Sequence, residues 1–151
     1  MTVSSRFAVA SHVLALLSCT PDAVLSSDRL ACSAGVNPVI VRSLSGMLRR
    51  AGLVQSRQGV AGLSLAREAA SITLLDVYRA VQPPERLIAL HEHPSAECPV
   101  GLHITDTLGA VCVEAQSALE ARLAQTTLAE LAEELQRRAS AEAVSAELVP
   151  A

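Results

Sequence analysis

Residues 37–65 read NPVIVRSLSGMLRRAGLVQSRQGVAGLSL, and the fold turns on how this stretch is read. Asn37 supplies a helix cap, and the ring of Pro38 is pre-set for the first helical position. On the helix that follows, Val41, Leu44, Leu48 and Ala51 share one apolar face at helical spacing. Pro38, Arg42, Ser45 and Arg49 fall roughly a quarter-turn away and are expected outside. Gly52 stops the helix. Leu53–Val54 and Leu63–Leu65 then read as two short strands around the loop RQGVAG at 57–62. Gly59 and Gly62 in that loop permit backbone angles closed to other residues. A helix running directly into a hairpin is the layout of a winged helix-turn-helix, with a reading helix and a phosphate-touching loop on one side of a small domain. The same GxxG spacing also suits a loop that cradles a small phosphate, but no Walker Lys-Ser/Thr follows it.

Upstream, residues 4–19 form a first helix with Phe7, Ala10, Leu14 and Leu17 on one face, ended by Pro21. Leu25-Ser26-Ser27-Asp28 starts a second helix with a hydroxyl cap, an acid in the first turn and Leu25 as a staple. Gly35 stops it in a left-handed cap, and Gly35-Val36-Asn37 is the turn of the helix-turn-helix. Downstream, Thr73-Leu74-Leu75-Asp76 opens a helix with a capping box in which Asp replaces the usual Glu. Its apolar face is Leu74, Val77, Tyr78 and Val81, and Pro83-Pro84 terminates it. These elements make residues 1–83 the winged-helix domain.

Composition supports this reading. Half the residues are apolar, yet there is one Phe, one Tyr and no Trp. A core of Ala, Leu and Val suits helices better than a sandwich or barrel. It also disfavours a base-stacking platform for single strands. Residues 1–70 hold seven Arg against Asp22, Asp28 and Glu68, a charge of +4, whereas residues 71–151 carry five Arg against twelve acids, or −7. The basic half contains the helix and hairpin, as expected where a polyanion is met. All twelve basic residues are Arg, the better groove reader. Arg42 lies in the first half of its helix, where base edges are reached, while Arg49 and Arg50 lie near its end and suit phosphates. With them, Ser27, Asn37, Pro38, Val39, Ser43, Arg57 and Gln58 form the expected DNA-binding set. No apolar run reaches the length of about 18 residues that spans a membrane, and no signal-peptide layout is present, so a soluble cytoplasmic protein without membrane partners is expected.

After residue 83 the chain changes character. PPERLIALHEHPSAECP at 83–99 is irregular, so 84–98 reads as a linker or sensing loop. A helix from about Pro99 to about Ala124 carries Ile104, Leu108, Cys112, Ala115, Leu119 and Leu123 in a stripe too extensive for one small domain to cover. That stripe reads as a dimer helix. Thr127-Leu128-Ala129-Glu130 caps a last helix ending near Arg137-Arg138. Residues 99–138 therefore form the dimerisation helices, and the Ala/Glu/Ser tail at 139–151 is expected to be frayed or disordered. Cys19, Cys32, Cys98 and Cys112 show no CxxC pairing, against a disulfide framework or a zinc knuckle. Cys19, Cys32 and Cys112 read as core cysteines.

The segments SSRFAVASHVLALL, GVNPVIVRSLSGMLRRAGLV, QSRQGVAGLSLAR and SITLLDVYRAV, with CPVG at 98–101 and TLAEL at 127–131, resemble the Rrf-two (BadM/IscR/NsrR-type) family of bacterial transcription regulators over residues 3–138. The resemblance implies a winged-helix homodimer, probing operator DNA with the third helix and wing and pairing its subunits through the long C-terminal helix. Family members often carry Arg-Gly-Pro-x-Gly-Gly-aromatic in the wing. Here Gln58 stands at the Arg position, with Arg57 just before it, and Leu63 stands at the second Gly. Arg42 occupies the place of a Glu in the iron–sulfur members, which implies a different operator. Iron–sulfur members hold their cluster with three closely spaced Cys, whereas this chain has only Cys98 there, so no cofactor is expected. Beside an iron–sulfur cluster, three readings of this region stay open: a zinc or iron ion held by His91, His93 and Cys98; a reactive thiol at Cys98, acidified by a helix N-terminus; and a structural Cys98. The expected function is a homodimeric DNA-binding regulator, a repressor, responsive through Cys98. An iron–sulfur or metal sensor of the same fold and a winged helix that binds protein instead of DNA are the alternatives. No carboxylate pair or Ser-His-Asp set sits on a catalytic frame, so an enzyme is not expected.

Overall fold

A computed structural model describes the backbone of residues 3–56, 62–81, 88, 90–91, 94–95 and 97–147, and side chains between residues 5 and 141 of these. The chain runs α1 (Val3–Cys19), α2 (Ser27–Ala34), α3 (Pro38–Arg50), β1 (Val54–Gln55), β2 (Ser64–Leu65), a short 3-10 turn (Ala69–Ser71), α4 (Leu74–Val81), α5 (Pro99–Ala124) and α6 (Leu128–Glu147). It is mainly α with one small hairpin, in winged helix-turn-helix order.

Local chemistry sets the helix starts. The Ser26 hydroxyl accepts the Arg29 amide at 3.3 Å and Asn37 Oδ1 accepts the Val39 amide at 2.9 Å. Each satisfies one amide that a helix start leaves unpaired. Gly35 closes α2 at φ 63, in the left-handed region. Both anticipated capping boxes are formed. Thr73 and Asp76 exchange amide-to-side-chain bonds at 2.9 and 3.1 Å, and Thr127 and Glu130 do so at 2.7 and 3.2 Å. These two boxes are joined, because Thr73 bridges Thr127 and the Leu128 amide donates to the Ile72 carbonyl at 2.8 Å.

That junction places α6 on the winged helix itself. Leu128 is fully buried in one cluster with Leu14 and Leu17 of α1, Leu44 and Leu48 of α3, Leu53 and Val77, and Ala132 one turn on is nearly buried as well. Each such leucine stabilises by about 1.5–3 kcal/mol relative to an exposed one. Helix α1 is central, with Ala10, Val13, Leu14, Ala15 and Leu17 buried on more than one side against its neighbours. Phe7 and Tyr78 meet edge-to-face at 5.9 Å between α1 and α4.

Helix α5 lies along α4, tied by Arg79 to Glu120 at 2.7 Å and by the Gln116 amide to the Tyr78 hydroxyl at 3.4 Å. Its apolar stripe divides. Cys112, Leu119 and Leu123 are half-buried, whereas Ile104 and Leu108 are exposed, together with Val100 and Val111. No helix among the described residues is long and apolar enough to cross a membrane.

Several sequence expectations are corrected. Ser45 is buried, its hydroxyl donating back to the Val41 carbonyl at 2.6 Å. It lies only about 40° around the helix from Val41, so it joins that face once its hydroxyl is satisfied internally. Ala51 is exposed because it is the C-cap and α3 has already ended at Arg50. The strands pair Val54 with Leu65 and Gln55 with Ser64, while Leu63 pairs across to Leu25 instead. Cys32 is exposed, since it points away from Leu30 and Ala31, the buried side of α2. The tail is helical as far as Glu147: Ala and Glu favour helix, and no Gly or Pro interrupts the run.

Candidate nucleic-acid interface

Helix α3 presents two rows of side chains. Residues seven apart on a helix point the same way, so Arg42 and Arg49 form one row with Pro38. Val39, Ser43 and Arg50, with Gly46 between them, form the second. Val39, Arg42, Ser43, Arg49 and Arg50 are all exposed, and Val39 reaches 62% although it is apolar. The opposite side of the helix is anchored by Val41, Leu44 and Leu48, which leaves the outer rows rigidly aimed.

Beside the first row lies an open cleft of about 400 Å³, lined by Ser27, Arg42, Ser45, Arg49, Ser56, Gly62 and Leu63. It runs between the start of α2, the length of α3 and the base of the hairpin. Three of the expected DNA-binding residues, Ser27, Arg42 and Arg49, meet there. Asn37 and Pro38 stand at the start of α3, and the Oδ1 of Asn37 is already engaged as the cap. Ser43 and Arg50 belong to the second row, outside the cleft lining. Arg57 and Gln58 lie outside the described residues.

The closure of the cleft depends on Gly62. Its φ is +147°, and a Cβ there would stand 2.7 Å from the Leu25 carbonyl oxygen. This close approach lets Leu25 and Leu63 exchange backbone hydrogen bonds of 3.1 and 2.9 Å. The hairpin is thereby fastened to the segment entering α2. Leu25, expected as a helix staple, serves as the pairing partner of the wing.

Two participants escaped the sequence reading. Ser56 lines the cleft just before Arg57, a position with no motif of its own. Asp28 places Oδ1 3.5 Å from Nη2 of Arg42. The two residues lie on different helices, so nothing in local spacing announces the pair.

Cys98 is exposed and is the N-cap of α5, with Pro99 in the first turn. Its side chain closes no capping hydrogen bond, but the amides of Gly101 and then Val100 draw the thiol below its ordinary pKa. Unpaired amides at a helix start favour the anion. His91 is exposed, its carbonyl accepting from Thr105 at 3.3 Å, and His93 lies outside the described residues.

Residues 3–134 match the protein family described as Rrf2, iron-dependent transcriptional regulator. A Bacillus subtilis (strain 168) protein carrying the name HTH-type transcriptional regulator YwnA is 44% identical over 126 residues, or 83% of this chain and 93% of that one. A solved structure described as a DNA-binding protein is 39% identical, with a TM-score of 0.69 over 83% of this chain and 97% of its own. The structure of CymR, the global cysteine regulator of B. subtilis, shares the fold at 22% identity, with a TM-score of 0.66 over 88% of this chain and 97% of its own.

The iron in the family's description does not fit the donors among the described residues. Cys98 and Cys112 are separated by 14 positions of a single helix, a rise of about 21 Å, too far to share one cluster. Among the described residues no three His, Cys, Asp or Glu side chains gather into a metal site.

Proposed function

The chain belongs to the Rrf2 family of transcription regulators, which are not enzymes, and from that membership we propose that it is a homodimeric repressor gripping operator DNA with α3 and the cleft beside it. The observation that carries this reading is the convergence of Arg42, Arg49, Ser27 and Ser56 on one groove between the reading helix and the wing base. Two guanidinium groups and two hydroxyls in a row suit the sugar–phosphate edge of a duplex. Arg42 sits early enough on α3 to offer its fork to a guanine edge, and exposed Val39 in the first turn fits a thymine methyl. Arg49, Arg50 and Arg57 hold phosphates.

The second copy docks on the uncovered side of α5. Val100, Ile104, Leu108 and Val111 recur at helical spacing and are 68, 40, 44 and 59% exposed, an apolar row that a soluble chain covers with a partner. Twofold pairing sets the two reading helices at a fixed separation, and the operator's half-sites follow that spacing. Cys98 stands at the start of this same helix. Its exposed, acidified thiol is the group on which an oxidant acts to shift the pairing helix and release the operator.

The test is binding by fluorescence anisotropy to duplexes selected from a random library, repeated across a salt series. Arg42→Ala relaxes preference at one base position of each half-site by about 1–3 kcal/mol, and Arg49→Ala weakens all duplexes while flattening the salt dependence by about one ion. Binding that ignores salt and survives both substitutions overturns the reading.

A further inference from the structure

The cleft shows which residues could grip DNA but leaves a question that the two arginine rows raise. A guanidinium beside a phosphate-rich surface is drawn to phosphates, which carry no sequence information. Something must hold Arg42 toward the bases. Asp28 is the group placed to do so. It lies in the first turn of α2, next to cleft-lining Ser27, and its Oδ1 is 3.5 Å from Nη2 of Arg42. The carboxylate is not spent on capping, because Ser26 already accepts the amide of Arg29. Both side chains are largely exposed, at 59% for Arg42 and 76% for Asp28, so the pair is too solvated to be a device for stability.

We propose that Asp28 is a positioning residue for base recognition: its carboxylate engages one edge of the Arg42 guanidinium, leaves the other edge for a base, and repels phosphate from that place. Arg offers five N–H donors in a planar fork, so one edge can be held while the other reads the N7 and O6 of a guanine. A carboxylate near the duplex also raises the cost of any register in which a phosphate takes Arg42. Asp28 thereby determines selectivity without touching DNA. This rests on the DNA-binding reading above.

Full-length wild type is used first to select a duplex from a random library. Wild type, Asp28→Asn, Asp28→Glu, Arg42→Ala and the Asp28→Asn/Arg42→Ala double variant are then titrated against that duplex and a scrambled one, across salt. Asp28→Asn should tighten binding to the scrambled duplex several-fold and reduce the preference for the selected one by roughly tenfold. Its salt dependence should steepen by about one ion, because the released Arg42 gains a phosphate. The loss of discrimination should fall on the base pair that Arg42→Ala also relaxes, Asp28→Glu should restore part of it, and the double variant should discriminate no worse than Arg42→Ala. Equal tightening on both duplexes, additive with Arg42→Ala, would mean that Asp28 acts only as bulk charge and overturns the proposal while leaving DNA binding intact. A wild type that enriches no duplex overturns both.

Discussion

Replacing Gly62 by alanine should unfasten the wing from the body of the domain. A methyl group there would stand 2.7 Å from the Leu25 carbonyl oxygen, 2.7 Å from a Val24 methyl and 2.9 Å from the Leu25 carbonyl carbon. Two of these atoms are backbone and cannot swing aside. The strand must therefore move, which opens the reciprocal Leu25–Leu63 pair at 3.1 and 2.9 Å. Each hydrogen bond contributes about 0.5–1.5 kcal/mol net. An L-residue at φ +147° adds a strain of order 1–3 kcal/mol, and the stiffer unfolded chain returns about 0.4–1 kcal/mol. A loss of about 2–4 kcal/mol follows. Gly35→Ala is the matched control: its φ is also positive, at 63°, but a Cβ there meets nothing within 4 Å. It should cost no more than about 1–2 kcal/mol. Urea unfolding followed by circular dichroism, at one protein concentration, measures both. If the two variants lose the same stability, the contact with Leu25 does not hold the wing, and the steric reasoning fails.

Other consequences are as direct. Leu128→Ala leaves a cavity in a core shared by α1 and α6 and should cost about 2–5 kcal/mol, measured by urea unfolding; a loss under 1 kcal/mol would show that α6 merely rests on the surface. Cys98, being exposed and acidified, should react with iodoacetamide at neutral pH faster than exposed Cys32, as followed by peptide mass spectrometry; a faster Cys32 refutes the role of the α5 amides. Glu130 is held below its usual pKa, first by the Thr127 amide and then by the Thr127 hydroxyl. Its contribution is present above the unfolded carboxylate pKa and is lost as pH falls through the lower folded value, so Glu130→Gln should flatten the acid limb of the stability profile. An unchanged limb in that variant would mean that the capping box contributes nothing.

The helices were legible because their start and stop signals are local. Asn37 reaches the amide of Val39, Thr73 that of Asp76, and Thr127 that of Glu130, all within three residues. Such contacts form in the helix itself whatever it packs against. The outward face of α3 followed from the same period. Ser45 and Ala51 were misplaced because a periodic pattern says nothing of a hydroxyl that bonds its own helix, or of where fraying ends. Low hydrophobicity points to a frayed tail, yet Ala and Glu hold residues 139–147 in a helix once Leu128 has anchored its start.

Contacts between residues far apart in the chain were another matter. Leu25 against Leu63, Asp28 against Arg42, and Ile72 against Leu128 each exist only after several helices have closed around α1. One trace of this closure was present in the chain, since VASHVLALL in α1 is apolar around more than one side, as suits a central helix. What lay against its second face could not be read from spacing. The order of elements, their caps and the outward rows of arginine thus come from interactions a few residues long. The cleft, its acidic neighbour and the docking of α6 come from burial, which only the assembled core supplies.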